Sequence, residues 1–253
     1  MSRKIIIQFT VLTFLIAGIA WGICVGFGLL GFTIENALWL YVFVAFCAFS
    51  PTFASYVILK KNNKVNGFRE WFRNIFAFKC HWRFYLLVVI LCVVDKVPKI
   101  AVSGLEEVQP LYMFFAFLPV ALIFGGIEEA GWSYVLRPEL EKKFGLVFSS
   151  IIVAVTWAAW HIPVFLPQGR IESIPWFALF AIDILGASFA LGAIIKITKN
   201  VFLCVLFHTI TNAVSMTFNT YNTLLGSVLT AFLFIVVSLS LVLIHDRKCK
   251  QLG

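Results

Sequence analysis

The sequence predicts an all-α protein, a polytopic membrane helix bundle with both termini cytoplasmic, and three observations carry that prediction. Of the 253 residues, 61% are apolar and only 13% charged, against about 45–50% and about 25% in soluble domains. The apolar residues fall into long runs separated by short polar stretches, so the helices they form are apolar on every face and need lipid around them. The basic residues, in turn, crowd onto alternate connections. A soluble globule is excluded, and the +8 net charge is a matter of membrane orientation that requires no nucleic-acid partner.

The runs cover residues 5–30, 37–59, 82–101, 111–136, 148–166, 174–195, 201–218 and 224–244, about eight spans of roughly 20 residues. The first follows Arg3 and Lys4 and continues well past the small residues at 18–20, so it reads as an uncleaved span rather than a signal peptide. The second ends at Lys60 and Lys61. The third is interrupted by Asp95 and Lys96; Asp95 and Lys99 lie i,i+4, where each would neutralise the other. The fourth carries two glutamates and ends before Arg137. The fifth is short because Pro167 closes it, the sixth contains Asp183, and the last runs into Arg247, Lys248 and Lys250. Between the second and third, Phe68, Trp71, Phe72, Ile75 and Phe76 recur at helical spacing with Arg69 and Arg73 on another face, the pattern of an amphipathic helix lying on the inner surface among the membrane lipids. The whole chain, 1–253, reads as one integral-membrane domain with a motif-bearing core at 111–218. Its 6 cysteines show neither disulfide nor structural-zinc spacing.

With the N-terminus inside, only Lys96, Lys99 and Arg170 among the 20 Lys and Arg fall on the outer side, and an odd number of spans would destroy that asymmetry.

Polar groups at membrane depth carry the functional signal, since a charge there costs about 2.5–3.5 kcal/mol even on the lenient insertion scale. Glu128 and Glu129 are adjacent in the fourth run, His161 lies in the fifth, and His208 and Asn212 share one face of the seventh at i,i+4. With Arg137 as inner boundary marker, Glu128 lies about 13 Å deep and His208 at matching depth. A hairpin turning at Phe144 and Gly145 brings Glu128 level with His161. A carboxylate withdrawn from water can accept a proton from a water molecule, while His and Asn hold that water and donate to a developing oxyanion. The same His161, His208 and Glu128 would equally offer three ligands to a divalent metal such as zinc. Asp183 serves either as a cavity-lining group or as a structural partner of a neighbouring helix.

These residues resemble the CAAX-protease and bacteriocin-processing (CPBP, or abortive-infection) intramembrane proteases, which include the type II CAAX prenyl endopeptidases. The family's E-E-x-x-x-R motif resembles Glu128-Glu129-Ala130-Gly131-Trp132-Ser133, its F-x-x-x-H resembles Trp157 to His161, and its H-x-x-x-N is matched by His208 to Asn212. The resemblance implies an intramembrane endopeptidase of the cell membrane, its site opening toward the cytoplasm, acting on a membrane-associated peptide or protein. Glu128, Glu129, His161, His208 and Asn212 would be its catalytic residues, with Glu128 activating water and His208 and Asn212 stabilising the oxyanion. The family is described both as metalloproteases and as metal-independent glutamate proteases, which leaves zinc open as a cofactor. Ser133 departs from the motif arginine and Trp157 from the motif phenylalanine. The first departure sustains a second reading, a catalytically lapsed relative acting as a bacteriocin-immunity or scaffold protein. A proton-coupled transporter is a third, although the internal repeat that such folds often show is missing from the sequence.

Overall fold

A computed structural model describes residues 2–32, 36–165 and 174–252. Pro167 and Arg170, used above for the short fifth span and for the charge count, lie outside the described residues.

Every apolar run is helical. The elements are α1 (Ser2–Leu29), α2 (Tyr41–Ala48), α3 (Ser50–Lys61), α4 (Phe68–Ile75), α5 (Trp82–Ser103), β1 (Leu105–Val108), α6 (Tyr112–Ile123), α7 (Glu129–Gly131), α8 (Arg137–Phe165), α9 (Ile174–Thr198), α10 (Val201–Thr217), β2 (Phe218–Thr220) and α11 (Leu224–Leu252). By length and hydropathy four helical stretches suffice to cross a membrane, Arg3–Leu29, Tyr112–Pro163, Pro175–Thr198 and Leu224–Cys249, and α2 with α3, bent by 40°, makes a fifth. α10 is too short to qualify, with 17 residues, and α5 carries charges in its second half. On α1 the lipid and core faces separate cleanly: Ile7, Val11, Leu15 and Ile19 recur every fourth residue and are exposed, whereas Ile5, Phe9, Ala17 and Ala20 are buried.

Three features depart from the sequence reading. The run at 111–136 is not one helix, because α6 stops at Ile123 and the chain passes through a 3₁₀ turn (Gly126–Glu128), the single turn α7 and a π-helical stretch (Trp132–Leu136) before α8 begins. Secondly, the chain is not purely helical: β1 and β2 pair antiparallel, Leu105 opposite Thr220 and Val108 opposite Phe218, in a ribbon that ties α5 and α6 to α10 and α11 at one end of the bundle. Thirdly, Lys99 pairs with Asp183 of α9 at 3.0 Å, not with Asp95 of its own helix.

The expected hairpin is present. Gly145 breaks α8 with φ +66, a backbone region that suits glycine. The indole N–H of Trp157 reaches Glu128, 29 residues earlier, although an uninterrupted helix would hold them about 43 Å apart. Only a reversal between them allows that bond.

The amphipathic stretch forms α4, whose apolar side is divided between two environments. Trp71 and Ile75 are buried in the bundle and Trp71 donates to Ser55 Oγ at 2.9 Å, whereas Phe68 and Phe72 remain exposed. At its start the Asn66 backbone and side-chain amides both donate to Glu70, and they hold its carboxyl below the usual carboxylate range.

Candidate active site

The break at Gly125 and Gly126 lets α10 approach the main chain beside the glutamates. A Cβ on Gly125 would lie 2.3 Å from Asn212 Nδ2 and 3.2 Å from His208 Nε2, and one on Gly126 would lie 2.1 Å from Thr209 Oγ1. Side chains are excluded at both positions, so the motif residues of α10 sit directly on the turn that presents Glu128 and Glu129.

Those two glutamates have different surroundings. Glu128 is 3% exposed, and its Oε2 accepts from Trp157 Nε1 at 2.9 Å and from Trp132 Nε1 at 3.3 Å. Glu129 is fully buried; its Oε2 accepts from Ser133 Oγ, and its Oε1 meets His208 Nδ1 at 3.0 Å. His161 uses Nδ1 toward the carbonyl oxygen of Trp157 at 2.9 Å, which fixes its neutral tautomer with Nε2 as acceptor. Its ring packs edge-on against Trp160 and Phe180.

Glu128, His161, His208 and Asn212 line one cavity of about 330 Å³, at the small end of the range for ligand pockets. Glu129 does not reach it and stands behind His208. Asp183 lines the cavity and also pairs with Lys99, so both roles foreseen for it apply. The floor is formed by Leu191 and Phe207, both buried, and the rim by Asn219 and Asn222, both exposed, so the mouth lies at the ribbon end of the bundle.

Arg137 is fully buried, with Nη1 on Ser150 Oγ at 3.0 Å and Nη2 on Ser188 Oγ at 2.9 Å, so it is internal to the bundle rather than a surface charge. It makes no direct bond to Glu129 among the described residues, and its guanidinium is held by the two serines. Ser133 takes the local role, donating to Glu129 where the arginine would have stood.

Zinc, left open by the sequence, depends on the donors present. Among the described residues no group of three or more His, Cys, Asp or Glu converges as a metal site requires. Two indole N–H groups already occupy one oxygen of Glu128, while each imidazole uses Nδ1 within the protein and leaves Nε2 toward the cavity. As placed, these donors do not converge on one ion, and the chemistry below uses none.

Trp132, Trp157 and Arg137 were missed as participants. Indole and guanidinium groups within an apolar run read as packing or as a boundary, and only the tertiary fold reveals what they donate to.

Residues 110–214 match the family model described as Rce1-like, type II CAAX prenyl endopeptidase. The likeness covers this stretch of the chain. The stretch contains all five candidate residues and both halves of the α8 hairpin, and the family is the one that the three motifs resemble. Over these residues the chain is similar to CAAX-protease-like peptidases, and it carries several helices long and apolar enough to cross a membrane. A comparison with curated proteins finds no match.

Proposed function

We propose that the protein is an intramembrane endopeptidase that hydrolyses a peptide bond of a membrane-associated substrate with Glu128 as general base. The observation that carries this reading is the convergence of Glu128, His161, His208 and Asn212 on one cavity within a bundle of apolar helices. A water between Glu128 and His161 Nε2 gives its proton to the carboxylate and attacks the scissile carbonyl. The tetrahedral oxyanion accepts from the Asn212 amide and from His208 Nε2–H. The proton for that Nε2–H is provided by the Glu129–His208 pair, which holds Nδ1 in place and turns Nε2 away from Glu129. As the C–N bond breaks, Glu128 returns its proton to the leaving amine. Glu129 thus positions His208 rather than touching the substrate, and 111–218 is the catalytic core.

The membrane layout follows the charges. Eight crossings with both termini cytoplasmic use the stretch Tyr112–Pro163 twice, as the reversal at Gly145 permits. On the same count the ribbon end, and with it the cavity mouth, faces away from the cytoplasm. This replaces the cytoplasmic opening expected from the resemblance. We expect Asn222→Cys, on a background from which Cys249 and the other cysteines have been removed, to be labelled by a membrane-impermeant maleimide in intact cells. Labelling only after the membrane is opened would reverse the assignment.

The function itself is tested by incubating the purified protein in lipid vesicles with a library of lipid-anchored peptides and sequencing the products by mass spectrometry. Discrete cleavage sites that vanish in Glu128→Gln are expected. Retained binding with no cleavage by the parent protein would favour the scaffold or immunity reading instead.

A further inference from the structure

Beyond the catalytic residues, the cavity holds a cation with no assigned task. Lys96 on α5 lines it and is 7% exposed, yet its ammonium makes no hydrogen bond or ion pair among the described residues. An ammonium has three donors and no acceptor, and withdrawing it from water without a partner is costly. The nearby acids do not supply that partner. Asp95 also lines the cavity but precedes Lys96 in the helix, where sequence neighbours diverge, and the two form no ion pair among the described residues. Asp183 gives Oδ2 to Lys99 at 3.0 Å, while its Oδ1 is buried and accepts from nothing among the described residues. The cavity therefore presents one unused cation and one unused acceptor beside the apolar rings of Phe124, Trp157 and Phe180.

We infer that Lys96 forms a subsite for a carboxylate of the bound peptide, with Asp183 Oδ1 accepting from one of its backbone N–H groups. The apolar walls select an apolar segment, and the ammonium selects one carrying a single negative group. That group is either the peptide's C-terminal carboxylate or an acidic side chain, which share the same chemistry. The inference rests on the peptidase reading, because it is Glu128 and His161 in the same cavity that make a peptide the occupant rather than a lipid headgroup.

The test measures binding without turnover, using full-length Glu128→Gln protein in detergent micelles and its thermal unfolding midpoint. The probes are N-acetyl-Leu-Leu-Leu with a free carboxylate, the same peptide as its C-terminal amide, and N-acetyl-Leu-Glu-Leu amide. The free acid, the Glu-containing amide, or both should raise the midpoint by about 3–6 °C at tenfold excess over Kd, and the Leu-Leu-Leu amide by clearly less. The first two arms identify which carboxylate is read. Lys96→Gln should erase the difference between acid and amide, and Lys96→Arg should keep it. Equal responses to all three peptides, no response to any, or an acid preference that survives Lys96→Gln would overturn the subsite. So would a midpoint raised by phosphatidylglycerol through Lys96 with no discrimination among the peptides. The comparison of peptides on the parent background stands even where Lys96→Gln fails to fold. Absence of hydrolysis by the wild-type protein would defeat the peptidase reading while leaving the acid preference intact, so the two failures are distinguishable.

Discussion

Replacing Glu128 with glutamine should lower kcat/KM for any cleaved peptide by about 10²–10⁴-fold, the usual contribution of a positioned general base. The amide keeps the shape of the side chain, and its oxygen can still accept the Trp157 and Trp132 indole N–H groups. The fold should therefore survive, and loss of a buried acid should leave the thermal midpoint unchanged or higher. Steady-state kinetics beside a melting curve of the same preparation separates the two effects. A variant that cleaves at the parent rate would remove Glu128 from the mechanism.

The second large effect is expected at His208, where stability and activity fall together. His208→Ala removes the Nε2–H donor from the oxyanion position, which costs about 10²–10³-fold in kcat. It also leaves the buried Glu129 carboxylate with Ser133 as its remaining donor, and breaking a buried pair from one side typically costs about 3–5 kcal/mol. If Glu129 acts only through His208, adding Glu129→Gln should restore most of the lost stability and none of the activity. The double variant should then be far from the sum of the singles. Additive losses in stability would show that Glu129 and His208 do not act as a pair.

Much of this site is legible in the sequence because its residue types are expensive where they occur. Acidic and imidazole groups inside apolar runs need a reason, and i,i+4 spacing already places His208 and Asn212 on one face. The hairpin at Gly145 is readable too, since equal depth for Glu128 and His161 requires a turn midway between them. The remainder depends on information that periodicity does not contain. Gly125 and Gly126 look like tolerated residues in a span until α10 is seen resting on them. Arg137 looks like a boundary charge because arginine usually is one, and only the two serine hydroxyls that receive it, from the second half of α8 and from α9, show it to be internal. The ribbon of β1 and β2 escaped notice since strands of 4 and 3 residues leave no alternation to read. Trp157 in place of the motif phenylalanine looked like an exchange of one large aromatic for another, whereas its indole N–H is the shorter of the two hydrogen bonds that hold Glu128.

The central claim, that this chain cuts peptide bonds within or beside the membrane through Glu128, is most directly tested by chemical labelling of new peptide N-termini. Membranes of cells producing the wild-type protein are compared with membranes of cells producing Glu128→Gln at equal abundance. The account predicts a small set of new N-termini, in or adjacent to membrane-associated segments, present with the wild type and missing with Glu128→Gln. Identical sets of N-termini in the two membranes would contradict it.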